Sequence, residues 1–272
     1  MQTPPLQPVD GIILVLSCQH NIASRIRQFP THSHYNGWKV IYVVGNLLQA
    51  EPFMYEPDSA KYNNQTSVLT LQCEDSYIHL LKKLVLAIEA VRSVFVVKDG
   101  ILRANDTLDY NQERLSKFLS SEKPDFYGYN SNFVTVYCAS IEVMKNVSDD
   151  LFMVNYYNTH PQDFENPLHN LKGVNIGNYT KRPHVEGVWG KLVYLSNHAC
   201  DVLVEHVKKI NYNIFAFDEL TQSYPYTIED CAISFILYLN NIPLHHSSTF
   251  IRRHPVKLDD VVAIGYDIRT LH

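Results

Sequence analysis

Two acidic segments carry the side chains best suited to proton transfer or to holding a cation. Glu229 and Asp230 are adjacent, and Asp99 follows Lys98 directly. A carboxylate can serve as a general base, and its oxygens suit a hard divalent cation. Each segment also has a purely structural interpretation, because Thr227 and Asp230 have the spacing of a capping box and an Asp followed by Gly is typical of a β-turn. Residue types alone leave both interpretations open.

Several well-known chemistries lack their motifs. Gly accounts for only 10 of 272 residues, and neither G-x-G-x-x-G nor G-x-x-x-x-G-K-[ST] occurs, which argues against dinucleotide-dependent dehydrogenases and P-loop kinases. Neither H-E-x-x-H nor G-x-S-x-G occurs, which disfavours hydrolases. The five Cys are widely spaced and form no C-x-x-C pair, so we expect reduced thiols rather than a disulfide framework or a structural zinc site.

Charge and hydrophobicity exclude two further partner classes. The chain has 23 basic and 28 acidic residues, a formal net charge of −5, so it offers no strong electrostatic surface for nucleic acid or an anionic membrane. The longest stretch without a charged residue, 231–251, is interrupted by Asn, Pro and His and is a poor membrane span. Residues 1–10 contain three Pro and are predicted to be a flexible lead-in without a secretory signal.

Elements that must position these residues follow from hydrophobic periodicity. Four β-branched apolar runs, at residues 11–17, 39–44, 67–73 and 93–97, predict buried, largely parallel strands. Between the third and fourth runs, apolar residues from Tyr77 to Val91 recur at helical spacing, with Asp75 and Ser76 as possible N-caps. This part of the chain is therefore predicted to be a β-α-β unit.

The second part of the chain mixes both patterns. The periodicity predicts helices over 108–119, 197–209 and 231–239, strands over 133–139 and 191–195, and a long loop over 155–182. We predict the α/β class, with a flexible lead-in at 1–10 and one domain at 11–272. The periodicity predicts a central, mostly parallel sheet within this domain.

The motifs, taken in order along residues 14–254, resemble those of the β1,3-galactosyltransferase and fringe-type inverting glycosyltransferases. The segments that carry the resemblance are Leu16-Ser17 with Arg25 and Arg27, Glu74 to Tyr77 with Lys82 or Lys83, Phe95 to Asp99, Gly187 to Gly190, Val193 to Ser196 and Glu229 to Cys231. No single segment is specific, but their shared order is.

This resemblance implies a GT-A-like fold and a sugar-transfer chemistry, with a nucleotide-binding (nucleotide-sugar) β/α half at 11–130 and an acceptor half at 131–272. It implies Asp230 as the general base, beside Glu229, and a pocket for the acceptor or sugar at Gly187, Trp189 and Gly190. The donor implied is a UDP-sugar, with galactose or N-acetylglucosamine the expected sugar, and the acceptor a hydroxyl of a glycan or glycoprotein. A Trp between small residues is equally typical of a core, so this position has two interpretations.

Donor and metal sites follow from the same resemblance. The expected donor-binding residues are Ser17, Arg25, Lys98 and Asp99. Mn²⁺ or Mg²⁺ would be held by Asp99 and His254, with Asp106 or Asp109 as further ligands. The sequence has one acid after Lys98 where the family has two or three, so we expect metal dependence to be weak or absent.

Two hypotheses of function remain at this point. The first is an inverting glycosyltransferase; the second is a catalytically silent relative that binds a sugar or a protein. Glu229 and Asp230 favour the first, and the missing acids favour the second. A soluble, cytoplasmic protein of viral or microbial origin is expected in preference to a trimmed Golgi-luminal domain.

Overall fold

The computed structural model describes residues 6–19, 21–22, 35, 37–46, 60–73, 75, 80–130, 135–136, 185–210, 229–253 and 257–265. The described strands, in chain order, are β1 (Gln7–Val9), β2 (Gly11–Leu16), β3 (Trp38–Gly45), β4 (Lys61–Asn63), β5 (Val68–Leu71), β6 (Phe95–Val97), β7 (Gly100–Asn105), β8 (Leu108–Tyr110), β9 (Phe126–Gly128), β10 (Thr135–Val136), β11 (Val185–Glu186), β12 (Leu192–Ser196), β13 (His245–His246), β14 (Ile251–Arg253) and β15 (Ala263–Gly265). The helices are α1 (Leu80–Val94), α2 (Gln112–Ser120), α3 (Asn197–Ile210) and α4 (Glu229–Leu239), with a 3₁₀ turn at Leu258–Asp260.

One eight-stranded sheet organises the molecule, in the order β13-β9-β12-β7-β2-β3-β5-β4. Strands β5, β3, β2 and β7 are mutually parallel, whereas β12 is antiparallel to both of its neighbours. Every residue of β2 and β3 is buried, which is the pattern of parallel strands covered on both faces. The predicted α/β class with a central, mostly parallel sheet is confirmed.

Two hydrophobic cores cover the two faces of this sheet. Alternation along β2 sends Ile12, Leu14 and Leu16 into one core, which contains helices α1, α3 and α4. Ile13 and Val15 point into the other core, which contains α2. The side-chain period of two therefore gives a three-layer domain, with helices on both sides of the sheet.

The fourth apolar run, at 93–97, is not a strand of the main sheet. Phe95–Val97 pairs in parallel with β1 in a separate two-stranded sheet, and Val96 is 48% exposed. The strand beside β2 is β7, whose interior contains Arg103. The prediction that Asp99 follows a main-sheet strand is therefore wrong, because Asp99 precedes one. Residues 7–9, expected to belong to a flexible lead-in, form a strand.

Other boundaries moved for local reasons. Helix α2 begins at Gln112 instead of 108, because Leu108–Tyr110 pairs with β15 and Asn111 caps the helix, accepting a hydrogen bond from the Arg114 N–H at 3.0 Å. Of the strand predicted over 133–139, residues 135–136 pair with β11, and the rest lies outside the described residues. The division into halves at residue 130 stays a prediction. Among the described helices, none is both long and apolar enough to cross a membrane.

Candidate active site at the carboxyl edge of the parallel strands

Polar side chains gather where β2 and β7 end. Ser17 follows β2 and Asp106 follows β7, and the Ser17 hydroxyl donates a hydrogen bond to Asp106 Oδ2 at 2.7 Å. The register of the two strands, with Leu16 opposite Asn105, makes these residues neighbours. Ligands of open parallel sheets bind outside the carboxyl ends of the strands, so this edge is the natural place for a donor substrate.

A buried lysine links the elements that form this edge. Lys83, on α1, is ion-paired with Asp75 and donates to the Ser17 carbonyl at 2.9 Å. The Asp75 carboxylate also accepts from the Gly45 N–H at 2.5 Å and the Gln19 N–H at 2.9 Å. This carboxylate, considered above as a helix N-cap, instead ties the ends of β2 and β3 to α1. Its oxygens are saturated by protein donors, which indicates a structural role.

Strand β12 brings the segment 187–191 to the same edge, because it runs antiparallel to β7. Leu192 is opposite Ala104, and the Asn105 N–H donates to the Lys191 carbonyl at 2.9 Å. Gly190 therefore lies beside the end of β7. The structure thus brings Ser17 and Gly190, predicted from the sequence to share a site, to one edge of the sheet.

Glu229 is neutralised by an arginine that the sequence analysis did not identify. Arg103 Nε donates to Glu229 Oε1 at 2.8 Å, and Nη2 pairs with Oε2. The remaining donor, Nη1, bonds to Asn105 Oδ1 and to the Gly190 carbonyl. Burial raises the pKa of Glu229, and the Arg103 guanidinium opposes that rise. Glu229 is thereby occupied as a structural anchor of α4.

Asp230, the next residue, has a different environment. Its Oδ2 accepts from the Gly190 N–H at 3.1 Å and its Oδ1 from the Cys231 N–H at 2.9 Å. Burial raises the pKa of Asp230, while the Gly190 N–H and the charge of Arg103 lower it. A carboxylate with a raised pKa is a better proton acceptor, and Asp230 is only partly buried. Thr227, its partner in the alternative capping box, lies outside the described residues.

Glycine at position 190 is required by the closeness of Asp230. A Cβ there would lie 2.8 Å from the Asp230 Cβ and 3.1 Å from Oδ2. Such distances are shorter than van der Waals contact, so any larger residue would displace the carboxylate. Gly190 thus supplies both the N–H donor and the space for Asp230.

Trp189 is mostly buried, with 8% of its surface exposed. The backbone N–H of Trp189 donates to the Tyr129 carbonyl at 2.7 Å, and the two rings meet edge to face with their centroids 6.2 Å apart. Lys191 Nζ and the Arg253 guanidinium lie 5.3 and 5.5 Å from the indole centroid, and Arg252 lies 5.0 Å from that of Tyr129. The ring packs in the core, as the second interpretation of this position held, and borders a cationic patch formed by Lys191, Arg252 and Arg253.

Lys98 and Asp99 lie at the opposite edge of the sheet. Seven residues of extended chain, roughly 23 Å, separate Asp99 from Asp106. Asp99 accepts from the Tyr194 hydroxyl at 2.6 Å and pairs with Lys123 Nζ at 2.6 Å, and Lys98 pairs with Asp10 at the surface. The structure does not bring these two predicted donor-binding residues together with Ser17.

Asp99 and Gly100 do not form the β-turn that the sequence also allowed, because Gly100 is the first residue of β7. A Cβ at Gly100 would lie 2.3 Å from the Leu195 carbonyl oxygen, so the glycine allows β7 and β12 to pair closely. Burial and the hydrogen bond to Asp99 raise the pKa of Tyr194. The Asp99 cluster therefore serves packing at the amino end of β7.

The described residues fit a tightly held divalent cation poorly. At the carboxyl edge the carboxylates of Asp75, Glu229 and Asp230 are engaged by protein donors on both oxygens. Asp106 is engaged by Ser17 through one oxygen, and Asp109 is exposed on β8. No cluster of three metal-ligating side chains occurs in the described part of the chain. His254 and Arg25 lie outside it.

Comparison with known proteins gives structural similarities only. No protein-family model and no curated protein sequence matches the chain. A galactosyltransferase, LgtC, solved in complex with donor and acceptor sugar analogues, matches with a TM-score of 0.44 and 10% identity over 94% of this chain and 86% of that protein. Mouse xyloside xylosyltransferase 1, in its apo form, matches with a TM-score of 0.39 and 9% identity over 97% of this chain and 100% of that protein. Residues of the site, rather than these similarities, carry the functional proposal.

Proposed function

We propose that the chain is an inverting glycosyltransferase that moves a galactose or N-acetylglucosamine-like sugar from a UDP-sugar to an acceptor hydroxyl. The observation that carries the proposal is the contrast within the acidic pair. Burial raises the pKa of both acids. Glu229 is paired with Arg103 and buried, whereas Asp230 is partly exposed and accepts hydrogen bonds from the backbone N–H groups of Gly190 and Cys231. An acid left in that condition beside a strand-end ligand edge is suited to general base catalysis.

In this proposal Asp230 takes the proton of the acceptor hydroxyl. The hydroxyl oxygen forms its bond to the anomeric carbon while the bond from that carbon to the diphosphate oxygen breaks. The proton remains on the Asp230 carboxyl group, and the nucleoside diphosphate leaves from the opposite face of the sugar. A single displacement of this kind inverts the anomeric centre, which accounts for one carboxylate in the chemical role.

The donor is proposed to lie along the ends of β2 and β7, near Ser17 and Asp106. Asp106 replaces Asp99 as the carboxylate on the donor side, since only Asp106 shares an edge with Asp230 in our assignment. Dependence on Mn²⁺ or Mg²⁺ is proposed to be weak, because among the described carboxylates at the carboxyl edge, Asp75, Asp106, Glu229 and Asp230, only Asp106 is engaged by a described donor through a single oxygen. In this proposal the cationic patch of Lys191, Arg252 and Arg253 stabilises the negative charge of the leaving diphosphate.

The test combines binding with turnover. Thermal shifts are measured with UDP, GDP and CMP, each in EDTA and in Mn²⁺, and UDP release is followed with UDP-galactose and UDP-N-acetylglucosamine. We expect UDP to raise the melting temperature most, because a ligand of the native state stabilises it by mass action. The absence of any shift at millimolar nucleotide would reject the proposal. Binding without turnover on a panel of acceptors would favour the catalytically silent relative.

A further inference from the structure

We infer that Arg103 is a positioning residue, which holds Asp230 in place through Glu229 and the Gly190 carbonyl. The inference rests on the proposed function for its catalytic consequence. Arg103 lies in the middle of β7, two residues before the strand ends, and its side chain is 2% exposed. Among the described residues it makes four polar contacts, two with Glu229 and one each with Asn105 and the Gly190 carbonyl at the ligand edge.

The position of Arg103 in the sheet explains why it reaches these partners. Its neighbours across β2 and β12 are Leu14 and Val193, which both point into the core that contains α4. Arg103 therefore projects between the sheet and the first turn of α4, where Glu229 meets it. A guanidinium offers its donors in a planar fork, which suits two-point contact with a carboxylate.

Both supports of Asp230 depend on this guanidinium. One support is the start of α4, because Asp230 follows Glu229 directly and Glu229 is held at two points. The other support is the peptide at Gly190, whose carbonyl accepts from Arg103 and whose N–H donates to Asp230 Oδ2. Arg103 thus fixes the carboxylate from two elements that are 40 residues apart in sequence.

Arg103 also connects the base to the donor side. Its Nη1 bonds to Asn105 Oδ1, and Asn105 immediately precedes Asp106. Its charge lowers the pKa of Asp230, against the effect of burial. The two sides of the proposed site are consequently held in one hydrogen-bonded network.

A purely structural alternative has a distinct expectation. A buried ion pair contributes little net stability, and apolar residues of similar size often replace both partners without loss. If Arg103 and Glu229 only stabilise the fold, the double variant R103M/E229M restores function together with stability. If Arg103 positions Asp230, the double variant restores stability alone.

The experiment compares wild type, R103K, R103M and R103M/E229M in the full chain. Three quantities are measured: the melting temperature, native-state hydrogen exchange at the Gly190 amide, and kcat and KM for the donor. We expect R103M to melt lower and R103M/E229M to recover most of that loss. In both variants the Gly190 amide exchanges at least about tenfold faster, as one hydrogen bond is worth about that factor. R103K, which keeps the charge but not the fork, lies between wild type and R103M.

Turnover supplies the second readout. We expect kcat of R103M/E229M to stay about 10²-fold below wild type, the cost of a small misplacement of a catalytic group, with the donor KM nearly unchanged. Recovery of both kcat and Gly190 protection in the double variant would overturn the inference. Wild type without transfer activity would reject the proposed function, and the exchange rate at Gly190 would still decide whether Arg103 holds the Asp230 contact.

Discussion

The two ends of β7 each bring a buried cation against carboxylates, and they leave those carboxylates in different states. At the amino end Asp99 pairs with Lys123 and accepts from the Tyr194 hydroxyl. At the carboxyl end the cation pairs with Glu229, and Asp230 beside it is held by backbone N–H groups. Pairing with a cation neutralises an acid, whereas an acid held by amides in a desolvated site keeps its capacity to accept a proton.

Aromatic packing marks the amino end as structural. Lys123 Nζ lies 5.4, 5.6 and 5.5 Å from the rings of Trp38, Phe118 and Tyr194, and it donates to two carbonyls at the end of α2. The ammonium group of Lys123 occupies the space between these aromatic rings, so the rings already bind a cation of the chain itself and are not available to a substrate cation. The carboxyl end has a partly exposed acid, Asp230, and chemistry is proposed there.

Asp230→Asn is expected to have the largest effect on this comparison. The amide keeps the shape of the side chain, but its one oxygen can accept from only one of the two N–H groups that Asp230 accepts from, so the folded structure should lose about 1–3 kcal/mol. Loss of the base should lower the rate of transfer by about 10²–10⁴. Turnover and melting temperature measured on the same preparation check this.

Asp99→Asn is the matched control at the other end of the strand. It leaves Lys123 without its carboxylate partner, at a cost of about 1–3 kcal/mol, and should leave turnover nearly unchanged. If D99N removed activity while D230N retained it, the assignment of the two ends would be reversed. Retained turnover with a lower melting temperature in D230N would leave Asp230 as a helix-terminal residue only.

A glycine pair at the two ends gives the next largest effect. A Cβ at Gly190 would meet the Asp230 Cβ at 2.8 Å, so Gly190→Ala should move the base and lower kcat by about 10²-fold. A Cβ at Gly100 would meet the Leu195 carbonyl oxygen at 2.3 Å, so Gly100→Ala should destabilise the β7 and β12 pairing. We expect G190A to change kcat more than the melting temperature and G100A to do the reverse. If both variants lowered kcat by the same factor for the same loss of melting temperature, the proposed difference between the two ends of β7 would be contradicted.

The sequence was sufficient for the elements whose signal is local. The apolar runs at 11–17, 39–44 and 67–73 predicted three of the four parallel strands, because strands in the interior of a parallel sheet are rich in apolar residues; β2 and β3 are buried on both faces, and β5 on one. Helix α1 and the strand at 192–196 followed from periodicity in the same way. Ser17, Gly190 and Asp230, which the resemblance implied as donor, pocket and base residues, lie at one edge of the sheet, and their roles there stay a prediction.

Strand β7 was missed because its polar residues are neutralised by distant partners. Arg103 in an apolar segment argues against a buried strand, until Glu229, 126 residues later, pairs with it. The dipeptide Asp99-Gly100 is typical of a turn, and the apolar residues 95–97 were interpreted as the main-sheet strand that is in fact β7. Asp106 was consequently predicted only as a possible further ligand beside Asp99, although it follows β7, which pairs with β2. The signal for β7 that the sequence offered was Arg103, which stands two residues, one strand period, before Asn105.

The pH dependence should show the effect of burial on Asp230. Burial raises the pKa of Asp230, so kcat/KM should fall, as pH is lowered, at a pH above the usual range of a carboxyl group. A group with a raised pKa in the folded state contributes stability that is full below its unfolded pKa and is lost as pH rises through the folded pKa. The difference in melting temperature between wild type and D230N should therefore decrease in that window. An acid limb at or below the usual carboxyl pKa would contradict the assignment of Asp230 as the base.

Removal of divalent metal should have the smallest effect. Asp106 is the one described carboxylate of the carboxyl edge with an oxygen that no donor among the described residues engages, and a single hard ligand holds Mn²⁺ or Mg²⁺ weakly. We therefore expect the affinity for UDP, measured by calorimetry, to fall less than about tenfold, or about 1.4 kcal/mol, when Mn²⁺ is replaced by EDTA. Asp106→Asn, which can still accept the Ser17 hydroxyl, should weaken UDP binding no more than EDTA does. UDP binding lost in EDTA, together with a UDP complex in which Mn²⁺ is held by two or more carboxylates, would show that residues outside the described chain complete a metal site at Asp106.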